Sequence, residues 1–152
     1  SRSLLNDWNT LLHTCENHSE ASSALLLWVA EAQGSCDLMR LLVCNRGADV
    51  DTMTDQGWTA LMLATQAGHA EMVQLLLEAA ADVDAKGAEE GRTALMMASS
   101  AGRIDLVQAL VDKKAGLDIV ARLSGKTALI DAAEQAAWTT ASLLVHSGAG
   151  LD

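Results

Sequence analysis

The sequence predicts an all-α solenoid in which short helix-turn-helix units stack side by side. Its main evidence is the motif Gly-x-Thr-Ala-Leu, which begins at Gly57, Gly91 and Gly125 and therefore recurs every 34 residues. A period of this length is typical of repeat proteins, in which each unit packs against its neighbours. The chain contains no proline, so no helix is interrupted by a proline ring. Its only aromatic residues are tryptophans, which favours a core of Leu, Ala, Val and Met between closely spaced helices.

The first predicted element, at residues 1–20, is a capping helix or half-repeat, because the apolar residues between Leu5 and Leu12 have helical spacing. About four repeats follow it. Their approximate bounds are 21–53, 54–87, 88–121 and 122–152. Since the chain begins without methionine and stops just after a predicted helix pair, we expect it to be a fragment of a longer protein.

Each repeat is expected to contain two short helices, and the second repeat shows the signals most clearly. Thr59 can cap the first helix through its hydroxyl, and Gly68 can end it in a left-handed conformation. Glu71 lies early in the second helix, where a negative charge interacts favourably with the helix dipole. Helices this short are unstable alone, so packing against neighbouring units must hold them.

In their sequence motifs and their pairs of short helices, the units resemble the ankyrin repeat. Residues 59–69 are similar to the family pattern Thr-Pro-Leu-His-x-Ala followed by Gly-His, and residues 47–51 are similar to Gly-Ala-Asp-Val-Asn. The resemblance extends from about residue 22 to the C-terminus. It implies an ankyrin-repeat solenoid of about four repeats plus the N-terminal capping helix.

The sequence departs from the ankyrin pattern at several positions. Alanine replaces the family's proline in each motif, and Met62, Met96 and Ile130 replace its histidine. In the last unit, Ala136 replaces a glycine. Two segments, 91–96 and 102–107, are similar to the KANK group of ankyrin proteins, which implies binding of motor or scaffold peptides.

Composition narrows the class of partner and the compartment. Twenty acidic and ten basic side chains give a formal charge of −10, so we expect a basic protein or peptide and no nucleic acid. Cys15, Cys36 and Cys44 are odd in number and lack metal-site spacing, which favours reduced thiols and a cytoplasmic or nuclear location. The longest apolar run, residues 24–30, is too short to insert into a membrane.

No motif predicts catalysis, a cofactor, a small-molecule substrate or a bound metal. Residues 124–127 are similar to part of a phosphate-binding loop, but Val120 stands where that loop needs glycine. His13, Cys15 and His18 are close in sequence, yet their spacing matches no zinc pattern. Serine, histidine and acidic residues are scattered over the repeats, so no nucleophile with its base is predicted.

The ankyrin resemblance implies that a partner lies in a concave groove made by the connectors and the first helix of each unit. We take as candidates the positions there at which the units differ from one another, because framework residues serve stacking. The candidates are Met53, Asp55, Gln56, Trp58, Met62, Gln66, Lys86, Glu89, Glu90, Arg92, Met96, Ser100, Val120, Leu123, Ser124, Lys126 and Glu134.

Trp58 is the candidate that we single out. A tryptophan among polar connector residues lowers solubility and is useful as an interface anchor. The alternative is that it folds back onto a neighbouring connector. Most methionines are expected in the core, whereas Met62 and Met96 occupy a variable position on the first helix and are counted with the groove.

The predicted function is therefore that of a protein–protein interaction module. The connector acids, some of which will be structural, are expected to steer a basic segment into the groove. Two alternatives remain at this point. The repeats could be a non-catalytic regulatory or spacer appendage of a larger enzyme or scaffold, or a spacer with no specific partner.

Overall fold

The computed structural model of this chain describes residues 23, 25–27, 29–30, 36–45, 48–88 and 90–150. The predicted all-α class is confirmed, because this part of the chain is helical and its only strand-like pairing is an isolated bridge between Met53 and Thr59. The predicted capping helix at residues 1–20 lies outside the described residues. The named helices are α1 (Cys36–Asn45), α2 (Ala60–Ala67), α3 (Ala70–Glu78), α4 (Ala94–Ser100), α5 (Ile104–Asp112), α6 (Ala128–Glu134) and α7 (Trp138–His146).

The helices lie in two layers. An inner layer contains α2, α4 and α6, with α4 packed between the other two, and an outer layer contains α1, α3, α5 and α7, each packed against the next. Each inner helix also packs against the outer helix that follows it. Helical residues in the range 23–30 precede α1. In the described part of the chain, no helix is long and apolar enough to cross a bilayer.

The core between the layers is built from equivalent residues of successive units. One leucine per unit is completely buried on the outer helices, and one alanine per unit is completely buried on the inner side. These residues are Leu42, Leu76, Leu110 and Leu144, and Ala30, Ala64, Ala98 and Ala132. The small alanines let the inner helices approach closely, while the leucines fill the space between the layers. Both series recur at the 34-residue spacing of the sequence motif, so positions with this spacing form the stacking core.

The helix ends follow the predicted signals. The side-chain oxygens of Thr59, Thr93 and Thr127 each accept a hydrogen bond from the backbone N–H three residues later, which caps the inner helices. Gly68 ends α2 with a φ of 77°, in the left-handed region. Ala136, which stands at the equivalent position after α6, also has a positive φ, of 55°.

Aspartate side chains join neighbouring units by accepting hydrogen bonds from backbone N–H groups. The aspartates occupy equivalent positions in three successive connectors. Each bond is 2.7 Å long, and together they run from Asp82 N–H to Asp51, from Gly116 N–H to Asp84 and from Gly150 N–H to Asp118. These carboxylates therefore have a structural role in addition to their charge.

Candidate partner-binding site

Three connector turns bring the candidate residues to one side of the inner helices. Each turn is closed by a backbone hydrogen bond, from Thr54 N–H to Trp58 C=O, from Gly87 to Arg92 and from Ala121 to Lys126. The first turn is one residue shorter than the other two, because the second unit has a shorter connector than the units after it. We call the surface made by these turns and the first turns of α2, α4 and α6 the connector face.

The glycine of the repeated motif allows successive turns to touch. Gly57 has a φ of 73°, and a Cβ there would lie 2.3 Å from the Cβ of Ala88. Gly91 has a φ of 66°, and its Cβ would lie 2.8 Å from that of Arg122. Only glycine combines this backbone conformation with so close an approach. As a result, Arg122 N–H donates to the Glu90 carbonyl at 2.8 Å, and the connector face continues into the fourth unit.

Most candidates from the sequence are accessible at or near the connector face. Glu89 lies outside the described residues. Trp58, Arg92, Ser100 and Lys126 are partly buried. The exposed candidates are Met53, Asp55, Gln56, Gln66, Lys86, Glu90, Val120, Leu123, Ser124 and Glu134.

Met62 and Met96 are a correction to the sequence analysis, because each side chain is only 1% exposed. Both lie three residues after a capping threonine, on helices that are covered by the next inner helix of the stack. Ile130 occupies the equivalent position on α6, where no described helix lies on the far side, and it is 39% exposed. Met96 thus serves stacking between units, whereas Met62, although nearly buried, also lines the pocket beside Trp58.

Trp58 lines a pocket between the second and third units. The pocket has a volume of about 200 Å³, and its other lining residues are Met62, Gly87, Glu90, Arg92 and Met97. Trp58 is partly buried and packs against the core while the rest of it faces the pocket. Trp58 therefore packs against the core and also borders open space, and its role as an interface anchor stays a prediction.

The two basic residues that follow the motif glycines are each held by a carboxylate. Arg92 Nη2 donates to Asp131 Oδ2 at 3.0 Å, and its Nε lies 4.0 Å from a Glu90 oxygen. Lys126 Nζ donates to Glu134, and this hydrogen bond raises the pKa of Lys126. Arg92 and Lys126 consequently present little uncompensated positive charge to a partner.

Sequence reasoning missed three residues of this site, namely Gly87, Met97 and Asp131. Asp131 was detectable in principle, because it is the one acidic residue in the first turn of an inner helix among α2, α4 and α6. Its partner Arg92 precedes it by 39 residues, however, and only the stacking brings them together.

The rejected phosphate-loop segment has a structural role in the repeat. Thr127 caps α6 and Lys126 is held by Glu134. Among the described residues, no group of three or more His, Cys, Asp or Glu side chains is arranged to hold a metal ion. His13, Cys15 and His18 lie outside the described residues.

Comparison with known proteins agrees with this architecture. A family model described as ankyrin repeats in three copies matches residues 2–87, 26–123 and 84–152. Cortactin-binding protein 2 from Rhinolophus ferrumequinum is 40% identical over 65 residues, which are 43% of this chain and 4% of that protein. The 26S proteasome non-ATPase regulatory subunit 10 from Dictyostelium discoideum is 41% identical over 68 residues, which are 45% of this chain and 28% of that protein.

The similarity thus spans only a small part of the length of these relatives, whereas the family-model matches together extend over almost the whole chain. Ankyrin repeats are protein–protein interaction modules. Because the helix pairs stack with the period of the sequence motif and the family model matches throughout, this chain belongs to the ankyrin-repeat family.

Proposed function

We propose that the chain binds a peptide or protein segment of basic character at the connector face, in the concave groove used by ankyrin-type repeats. The observation that carries this proposal is the open pocket beside Trp58, between the second and third units. Large aromatic residues at the border of a pocket are frequent energetic anchors of interfaces. Asp55 and Gln56 are exposed polar residues that precede Trp58 in the same connector and could form part of a hydrogen-bonding rim.

Charge supports a basic partner. The chain carries a formal charge of −10, and the positive charges of Arg92 and Lys126 are compensated by neighbouring carboxylates. Glu90 remains largely exposed at the pocket, with 60% of its side chain accessible. Lys86 and Arg122 are also exposed in these turns, so the preference for a cationic segment over the phosphate backbone of a nucleic acid rests on the net charge of the whole chain.

The proposal also covers the number of repeats in the chain, their mode of action and their location in the cell. The four repeats, bounded approximately at residues 21–53, 54–87, 88–121 and 122–152, act by binding and not by catalysis. They act in the cytoplasm or nucleus, where a free thiol such as that of Cys36 stays reduced.

The proposal is tested by selecting a phage-displayed library of random peptides on the purified chain. Affinities of the enriched peptides are then compared for the wild type, Trp58→Ala and Trp138→Ala. Trp138 is a matched control, because it is 68% exposed and lies on the outer helix α7. We expect enriched peptides to be basic, and Trp58→Ala to weaken their binding by roughly tenfold or more while Trp138→Ala has little effect.

A second substitution separates a folding defect from a binding defect. Trp58→Arg introduces the residue type that stands at the equivalent position in the third unit, Arg92, so the repeat framework accommodates it. Circular dichroism would report whether either variant keeps its helices. Folded Trp58 variants that bind every enriched peptide as tightly as the wild type would overturn the proposal, as would a library that yields no enriched peptide.

A further inference from the structure

We infer that the pocket beside Trp58 receives one aliphatic side chain of the bound segment, and that Gly87 is the residue that keeps the pocket open. This inference rests on the proposed function and adds to it the chemistry of the partner. The bound segment is expected to carry Leu, Ile or Met as an anchor, with Lys or Arg next to it.

The internal repeat shows what Gly87 does. Gly87 and Ala121 are equivalent, since each accepts a hydrogen bond from the motif glycine four residues later and donates one to the residue five positions later. Ala121 is 1% exposed, so its methyl group is enclosed by neighbouring atoms in the next turn. At residue 87 that methyl group is missing, and the space is part of the pocket.

The backbone does not require glycine at residue 87. Its φ lies outside the left-handed region, unlike those of the neighbouring motif glycines Gly57 and Gly91. A Cβ there would meet Arg92 O at 3.7 Å, Met62 Sδ at 3.9 Å and Gly57 O at 4.0 Å, which are ordinary van der Waals distances. The backbone and its surroundings therefore leave room for a Cβ at this position, and the visible consequence of glycine is the open space.

The lining and the size of the pocket favour one aliphatic side chain. The indole of Trp58 and the thioethers of Met62 and Met97 form the apolar, adaptable part of the lining. Glu90 and Arg92 form its polar part. A volume of about 200 Å³ is small beside the roughly 300–1,000 Å³ that is typical of small-molecule sites. It is suited to a single anchoring residue of a longer segment, of the kind that dominates many interfaces.

The charge at the pocket specifies the residue beside the anchor. Arg92 is held by Asp131 at 3.0 Å, and its contact with Glu90 is longer, with Nε 4.0 Å from the Glu90 oxygen. Glu90 is the more exposed charged group of the lining, at 60% of its side chain compared with 30% for Arg92. A Lys or Arg next to the anchor would pair with Glu90 and could also lie over the face of Trp58.

The test uses a peptide from the random library whose binding depends on Trp58. Its affinity is measured by isothermal titration calorimetry for the wild type, Gly87→Ala and Gly87→Leu. Gly87→Leu should place its own side chain in the pocket and weaken binding of the peptide by roughly ten- to a hundredfold, which corresponds to the loss of one buried aliphatic side chain. Gly87→Ala should have a smaller effect. Ala67→Leu, at the exposed far end of α2, is the control for an added leucine and should leave affinity unchanged.

An alanine scan of the same peptide identifies which peptide residue is the anchor. One aliphatic residue should account for most of the loss in affinity, and its removal should have little further effect in the Gly87→Leu chain. If Gly87→Leu stays folded and binds this Trp58-dependent peptide as tightly as the wild type, the inference is wrong while the proposed function stands. If no peptide depends on Trp58, both are overturned.

Discussion

At the scale of single residues, the repeat requires left-handed backbone at sites where this chain does not always have glycine. Gly68 and Gly102 follow α2 and α4 with φ values of 77° and 65°, but Ala136 occupies the equivalent site after α6 with a φ of 55°. Lys114 adopts a φ of 64° after α5, where Gly148 follows α7. A non-glycine residue in this region is strained by about 1–2 kcal/mol because its Cβ approaches the following carbonyl oxygen.

Ala136→Gly should therefore stabilise the fold by about 0.5–1 kcal/mol, after allowance for the greater entropy that glycine gives the unfolded chain. Urea unfolding followed by circular dichroism measures this change. Gln135→Gly is the matched control, because Gln135 has an ordinary φ of −84° and should only lose stability on this substitution. A midpoint that falls for Ala136→Gly would contradict the strain argument.

Cys36 is a second residue whose surroundings matter, because they change the pKa of its thiol. Partial burial raises the pKa of its thiol, and so do a 3.3 Å hydrogen bond to Glu71 and the charge of that carboxylate. A raised pKa lowers the thiolate fraction at neutral pH, and the thiolate is the reactive form. The rate of alkylation should thus be slower than for free cysteine and should increase only at higher pH.

The measurement is the rate of iodoacetamide modification at Cys36, resolved by mass spectrometry because the chain has two other cysteines. Glu71→Gln removes the charge and should speed the reaction at neutral pH. Glu134→Gln, which changes a carboxylate in the fourth unit, should not. Equal rates in all three proteins would show that Glu71 does not influence the thiol.

At the scale of secondary-structure elements, the inner helices depend on caps and neighbours. They contain seven or eight residues, which is well below the length at which a helix persists in water. Each begins at a threonine whose hydroxyl satisfies one of the free N–H groups of the first turn. The cap therefore fixes where the helix starts, and packing against the adjacent units keeps it formed.

Thr93→Ala should destabilise the chain by about 1 kcal/mol, because it removes the cap of α4, which packs between α2 and α6. Thr93→Ser retains the hydroxyl and should recover most of this loss, which distinguishes capping from packing of the methyl group. Chemical unfolding of the two variants is the measurement. If serine is as destabilising as alanine, the hydrogen bond to Met96 N–H contributes little.

At the scale of the whole molecule, stability depends on how well neighbouring units hold one another. At each described junction, an aspartate carboxylate accepts a hydrogen bond from a backbone N–H group of the following connector. These aspartates are Asp51, Asp84 and Asp118. Arg92 adds a side-chain link from the third unit to Asp131 in the fourth. Since each unit contacts mainly its neighbours, weakening one junction should loosen the stack locally.

Asp84→Ala should cost about 1–2 kcal/mol, because Gly116 N–H loses its partner at the junction of the second and third units. Asp84→Asn keeps an oxygen that can accept the same hydrogen bond, so its cost should be less than half as large. Urea unfolding gives the two free energies, and hydrogen exchange should show faster exchange around residue 116 in the alanine variant. Equal costs for Asn and Ala would mean that charge, and not the hydrogen bond, matters at this position.

The sequence by itself determined the fold class, the 34-residue register and, in the second unit, the threonine cap and the glycine that ends the first helix. These features depend on the spacing of residues within one unit, so each unit with the same spacing forms them in the same way. The tertiary structure decided which side chains face a neighbouring unit. It buried Met62 and Met96, joined Arg92 to Asp131 and left the space at Gly87 open, because each of these outcomes depends on the offset between successive units, which the spacing of residues in one unit does not specify.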